Sequence, residues 1–182
     1  MPLIWVTNLV LLWIVVLLNL LLTIALTRKF NRMSSFADMD VGLEKGSQAP
    51  DFQAETLTGE IVTLAAYARK AVSFIYISLH CSPCLDKLPK LNALAPKAKQ
   101  AGVELVLVST DGDKSEIAAF VKKHNVTLPV LIAPSESNSF ARDYKADATP
   151  SYCVLNQDSY VEAAGVFDPN WEEQLARAWA TV

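Results

Sequence analysis

Two thiols separated by two residues, Cys81-Ser82-Pro83-Cys84, carry the most reactive chemistry in this 182-residue chain. They follow an apolar run from Ala71 to Leu79 and precede a helical pattern through Leu85, Leu88, Leu91 and Leu94. A strand that ends in C-x-x-C and turns into a helix places the first sulfur at the helix N-terminus. There, unpaired N–H groups and the helix dipole favour thiolate over thiol, which makes Cys81 the expected nucleophile. Cys84, about one helical turn further along, is then placed to attack a mixed disulfide formed on Cys81 and release the partner. Ser82 and Pro83 make the turn between the sulfurs, and a proline in the first helical turn gives up an N–H that has no helical partner anyway.

Competing uses of the pair fail on ligand chemistry. A structural zinc site needs four ligands, and the remaining candidates are a lone Cys153 and the scattered His80 and His124, so no metal is expected. Covalent haem attachment needs a histidine directly after the second cysteine, whereas Leu85 follows it and His80 precedes the first. No cofactor is expected. His80 has two readings: it stabilises the Cys81 thiolate by a hydrogen bond or by charge, or it merely shapes the surface that a partner meets. Cys153, inside the strand-like run Tyr152 to Leu155, reads as an inert core thiol, with a third redox thiol as the rarer alternative.

The elements that must position these residues alternate in type. Strands are expected at Ile61–Leu64, Ala71–Leu79, Val103–Val108, Leu128–Ile132, Tyr152–Leu155 and Val161–Val166. Helices are expected after Cys81, with Pro89 kinking the first, then at Glu116–Lys123 behind a cap from Asp113 or Ser115, at Ser137–Tyr144 and at Trp171–Trp179. That alternation predicts an α/β fold, a three-layer α/β/α sandwich.

The front of the chain is different. No charged side chain occurs from Pro2 to Thr27, a run long enough to cross a hydrocarbon core of ~30 Å as a helix. A basic n-region and a small-residue cleavage site are both missing, which separates it from a cleaved signal peptide. The expected organisation is an N-terminal transmembrane helix with a basic flank over residues 1–32, a linker over 33–45 and one domain over 46–182. Asn8, Asn19 and Thr23 fall near one face of the helix, which suits a partner transmembrane helix; the plainer reading is that single polar residues are tolerated there. The chain carries 16 basic and 19 acidic side chains, a net charge of −3. Arg28, Lys29 and Arg32 lie in the flank, so 13 against 19 remain beyond it, a net −6. An acidic domain with no basic run argues against nucleic acid as a partner.

Ala148-Thr149-Pro150-Ser151 leads into the run at Tyr152. A proline there is an ordinary edge-strand residue on the plain reading. Together with the C-x-x-C, however, the chain resembles the thioredoxin superfamily, in which a cis-proline loop faces the cysteine pair and presents backbone to a bound substrate cysteine. The resemblance implies that role for Thr149 and Pro150. Gly46-Ser47-Gln48-Ala49-Pro50-Asp51-Phe52, Leu57-Thr58-Gly59-Glu60, Val62-Thr63-Leu64, Pro89, the strand at Val103 with Asp111-Gly112-Asp113, and Tyr144 six residues before Pro150 are similar to membrane-anchored thioredoxin-like proteins of the TlpA/ResA/MauD type. The likeness runs from about Gly46 to Ala180, and Ser78 is closer to the MauD-like variant. Two positions depart from it: Lys87 stands where TlpA-type proteins usually carry an acid, and Ile75 where thioredoxins carry a buried aspartate.

The resemblance implies a thioredoxin-like thiol–disulfide oxidoreductase acting on protein thiols and disulfides together with a redox partner protein. It also implies a single-pass protein of the cell membrane whose catalytic domain lies outside the cytoplasm. The basic flank, by the positive-inside tendency, argues for the opposite side. One alternative is a peroxiredoxin-like thiol peroxidase, which shares the Ala-Pro-Asp-Phe opening and whose pattern keeps Ser78 but has Phe74 in place of proline. The other is a binding or chaperone module that only senses redox state.

Overall fold

The computed structural model describes residues 2–37 and 41–182; for 2–4, 6, 26 and 28–37 it describes backbone only. The chain divides into two units, Met1–Asp40 and Val41–Val182. The first holds one helix, α1 (Pro2–Ala37). Its stretch Thr7–Ala25 is long and apolar enough to cross a membrane, and none of it is buried against protein. The helix continues past residue 32 into the segment expected as linker, and residues 38–40 of that segment lie outside the described residues. The Thr23 hydroxyl donates to the Asn19 carbonyl and that of Thr27 to the Thr23 carbonyl, each at 2.8 Å. Both hydroxyls are therefore satisfied within their own helix.

The second unit is built on one mixed sheet of β1 (Gln53–Thr56), β2 (Ile61–Thr63), β3 (Ala71–Ile77), β4 (Val103–Ser109), β5 (Val130–Ile132), β6 (Ser151–Leu155) and β7 (Val161–Val166), in the order β2-β1-β5-β4-β3-β6-β7. The central strand β3 is buried on both faces along its whole length, which is why its sequence shows an unbroken apolar run instead of alternation. The alternation survives in what each face meets. Ile75 and Ile77 point toward α2 (Ser82–Gln100), α3 (Lys114–Lys123) and α5 (Trp171–Trp179), joining Leu88, Leu91, Ile117, Trp171 and Leu175. Val72, Phe74 and Tyr76 point the other way, into a cluster with Phe52, Tyr67, Phe140 and Tyr144. These are the layers of a thioredoxin-like sandwich.

The second cluster is mostly aromatic. Phe52 stacks on Phe140 with ring centroids 3.8 Å apart, and Phe74 meets both edge-on at 5.3 Å. The Tyr144 hydroxyl donates to the Pro50 carbonyl at 2.8 Å, and the Asp51 carboxylate accepts the N–H groups of Phe52 and Leu64. The opening Ala49-Pro50-Asp51-Phe52 is thus pinned over the sheet by its proline carbonyl, its carboxylate and its ring.

Two elements, β1 and the helix that follows β5, differ most from the sequence expectation. Strand β1 carries the polar sequence Gln-Ala-Glu-Thr and has no strand-like apolar pattern; it forms by pairing with β2 and β5. The helix expected over Ser137–Tyr144 shrinks to α4 (Phe140–Asp143), because Asn138 spends its side chain on the Gln53 carbonyl and the Phe140 N–H instead of a regular helical start. Helix α2 runs on through Pro89, as the apolar pattern to Leu94 predicts, and through Pro96 to Gln100.

Removing the Phe140 ring strips the stacked and edge-on contacts of a fully buried side chain. Phe140→Ala should therefore lower the unfolding free energy of the 41–182 unit by about 3–5 kcal/mol, read as a shift of the denaturant midpoint. A loss below about 1 kcal/mol would mean that the cluster repacks and is not a rigid part of the core.

Candidate active site

Strand register gathers the site. Strands β3 and β4 are parallel with Ile77 opposite Ser109, while β3 and β6 are antiparallel with Tyr76 opposite Ser151. The residues after β3, those after β4 and those before β6 consequently meet at one edge of the sheet. They are Ser78–Cys81, Thr110–Gly112 and Thr149–Pro150.

Cys81 is the N-cap of α2, in extended conformation, and its sulfur accepts the Cys84 N–H at 3.2 Å. A sulfur in this position takes the place of the Ser or Asp oxygen that usually caps a helix. Cys81 and Cys84 form a disulfide with Cα atoms 5.3 Å apart. The two sulfurs differ in environment, since Cys81 is half-buried whereas Cys84 is 0% exposed and packs with Leu88 and Leu91. The Cys81 sulfur also lies 3.4 Å from the Thr149 carbonyl oxygen, and the Thr149–Pro150 peptide is cis. Beyond it, the Pro150 carbonyl accepts the Phe167 N–H at 3.0 Å, tying the loop to the end of β7. Ser82 and Pro83 are both exposed in the first turn.

His80 is also exposed, and its Nδ1 lies 3.1 Å from Asp111 Oδ2. Asp111 was not singled out from the sequence as a site residue, yet it holds the whole approach to Cys81. Its Oδ2 accepts the Ser78 hydroxyl at 2.6 Å and its Oδ1 accepts the Leu79 N–H at 2.8 Å. The Ser78 oxygen in turn accepts the His80 N–H at 3.2 Å, and the Ser78 carbonyl accepts the Cys81 N–H at 3.2 Å. An ionised carboxylate only accepts, so Nδ1 of His80 carries the proton in this pair. Burial alone would raise the Asp111 carboxyl, but the hydrogen bonds from Ser78, Leu79 and His80 and the charge of a protonated His80 outweigh it and hold it below its ordinary range. The available signal was topological: a carboxylate directly after a buried strand, at the carboxyl end shared with its parallel neighbour.

The positions that depart from the resemblance are apolar or cationic in space as well. Ile75 is fully buried, and the Lys87 ammonium sits 6.0 Å over the Trp171 ring. Phe74 belongs to the aromatic cluster on the other face of the sheet. Cys153 is buried in β6, and burial pushes its thiol up to about 12, which disfavours the thiolate at neutral pH. Among the described residues, no group of three or more His, Cys, Asp and Glu is arranged to hold a metal.

Comparison with known proteins agrees with this architecture. The family model described as Redoxin matches residues 44–178. The chain belongs to the Redoxin family. A ResA protein of Bacillus cereus, a thiol-disulfide oxidoreductase, is 30% identical over 128 residues, covering 69% of this chain and 71% of that one. The thioredoxin-like protein YneN of Bacillus subtilis is 27% identical over 135 residues, 73% of this chain and 78% of that one. A DsbE-type structure from Chlorobium tepidum superposes with a TM-score of 0.66 at 25% identity, over 75% of this chain and 99% of that chain. The thioredoxin domain of a thiol-disulfide oxidoreductase from Bacteroides vulgatus, at 18% identity, shares the fold with a TM-score of 0.65 over 74% of this chain and 97% of that one. Within the Redoxin family the chain is a thioredoxin-like thiol–disulfide oxidoreductase of the TlpA/ResA type.

The depressed Asp111 carboxyl makes a signed prediction. A group whose folded pKa lies below its unfolded value contributes stability that is fully present above the unfolded value and is lost as pH falls through the folded one. The stability gap between the parent protein and Asp111→Asn should hold steady above about pH 5 and shrink below about pH 4. Denaturant titrations across that range measure it. A gap that widens on acidification would contradict the hydrogen-bonded carboxylate described above.

Proposed function

We propose that this redox-active pair works as a nucleophile and a resolving thiol, Cys81 and Cys84 respectively, on protein disulfides, and that α1 tethers the domain to the cell membrane. The observation that carries the assignment is the asymmetry of the two sulfurs: one half-buried at a helix N-cap, the other 0% exposed beneath it. In the reduced protein the Cys81 thiolate attacks one sulfur of a partner disulfide. A Cys81–partner disulfide forms, and the other partner sulfur leaves as thiolate. Cys84 then attacks the Cys81 sulfur, the Cys81–Cys84 disulfide closes and the second partner sulfur leaves. Two electrons pass to the partner, and the two thiol protons go to the released thiolates or to solvent. Run backwards, the same steps oxidise a dithiol.

In this reading Thr149 and Pro150 form the backbone against which a partner's extended segment lies, supported by the closeness of the Thr149 carbonyl to the Cys81 sulfur. Exposed His80 just before Cys81, and exposed Ser82 and Pro83 in the first turn after it, modulate the approach. The domain works outside the cytoplasm, where substrates acquire disulfides and a tethered exchanger has work to do. The partners are a protein substrate and a second redox protein that resets the pair.

Cys84→Ser should accumulate mixed disulfides on Cys81, seen as reductant-sensitive bands of higher mass after acid quenching, whereas Cys81→Ser should accumulate far fewer. If both variants kept turnover on a disulfide substrate, the exchange assignment would be wrong. A peroxidase would instead consume hydrogen peroxide rapidly through a Cys81 sulfenic acid; slow, stoichiometric oxidation is expected here. For topology, a membrane-impermeant maleimide applied to intact cells after mild reduction should label Cys81. Labelling only after lysis would place the domain in the cytoplasm, as the basic flank argues.

A further inference from the structure

We propose that Asp111 is the positioning residue of the dithiol site, acting through the Ser78–His80 segment to hold Cys81 in the geometry that Cys84 must attack. The inference rests on the exchange reading above and goes beyond it, because Asp111 touches neither sulfur in the hydrogen-bond network described. The approach to Cys81 is irregular chain between the end of β3 and the start of α2. Neither element supplies partners for the Ser78 hydroxyl, the Leu79 N–H or the His80 ring, and one carboxylate takes all three. The Ser78 carbonyl then fixes the Cys81 N–H. The network therefore runs from Asp111 through Ser78 to the backbone of the residue that reacts.

Asp111 is itself fixed from behind. The Thr110 N–H donates to the Ile77 carbonyl at 2.9 Å, and the Ser109 hydroxyl donates to the Asp111 carbonyl at 2.9 Å. The next residue, Gly112, has φ +79, and a Cβ there would collide with the Leu79 side chain. The positive φ suits glycine at this turn, and any larger residue would also have to displace the Leu79 side chain beside the carboxylate. The geometry matters because ring closure is intramolecular: its rate depends on how often the Cys84 sulfur and the Cys81 mixed disulfide are aligned, and a displacement of about 1 Å costs up to ~100-fold in such a step.

Reaction of the reduced full-length protein with 5,5′-dithiobis(2-nitrobenzoate) separates the steps. The Cys81 thiolate attacks a reagent sulfur and releases one nitrothiobenzoate thiolate in a phase that scales with reagent concentration. Cys84 then attacks Cys81, closes the disulfide and releases the second in a phase independent of it. Asp111→Ala should slow the second phase about tenfold or more and change the first by less than about threefold. Adding Ser78→Ala to Asp111→Ala should slow it little further, since both act through one network. Asp111→Asn, which keeps an oxygen for the Leu79 N–H, should recover part of the rate. Asp113→Ala removes the cap of α3; it is the control for general destabilisation and should leave both phases unchanged in the folded fraction. Equal second-phase rates for Asp111→Ala and the parent protein, or a matching slowdown in Asp113→Ala, would overturn the proposal. If the parent protein released no second equivalent, the exchange reading itself would fail, which is a separate outcome.

Discussion

The site depends on the relative register of β4, β3 and β6. Parallel pairing on one side of β3 and antiparallel pairing on the other bring two strand ends and one strand start to the same edge. Shifting β6 by one residue along β3 would turn its side chains to opposite faces and move Thr149 away from the Cys81 sulfur. What fixes the register is burial on both faces: β3 sends alternate side chains into an aliphatic layer beneath α2 and an aromatic layer beneath the Ala49–Phe52 segment. Redox geometry at the sheet edge is thus a consequence of packing in the sheet centre.

The same arrangement divides labour between the sulfurs. Cys81 takes a capping position, where its sulfur receives an N–H from the helix and the residue stays half-buried. Cys84 belongs to the buried stripe of α2 with Leu88, Leu91 and Leu94. That difference in burial is what supports the proposed order of attack, Cys81 first and Cys84 second. Lys87 and Ile75 leave Cys84 without a carboxylate at either position where the resemblance to thioredoxin and TlpA-type proteins implies one. A carboxylate stands instead on the Cys81 side, at Asp111, hydrogen-bonded to the segment that leads to Cys81.

Much of this was legible in the sequence. The apolar run at Ala71, the helix after Cys81, the run at Val103 and the amphipathic helix Trp171–Trp179 carry strong local patterns, and each forms close to where the pattern predicts. The cysteine pair and Pro150 stand out by residue type and by resemblance. Strand β1 does not, because Gln53–Thr56 becomes a strand only through partners far along the chain. Asp111 was hidden for a related reason. In sequence it is one acid in an Asp-Gly-Asp turn beside Asp113, itself one of two candidate helix caps, and only the pairing of Ile77 with Ser109 shows that it faces Ser78.

Burial should make Cys81 the attacking sulfur and Cys84 the resolving one. Reducing the full-length protein, alkylating it with less than one equivalent of iodoacetamide and identifying the modified cysteine by peptide mass spectrometry tests this directly. Modification is expected on Cys81, with Cys84 and Cys153 protected until the protein is unfolded. Modification of Cys84 first, or of both at equal rates, would contradict it.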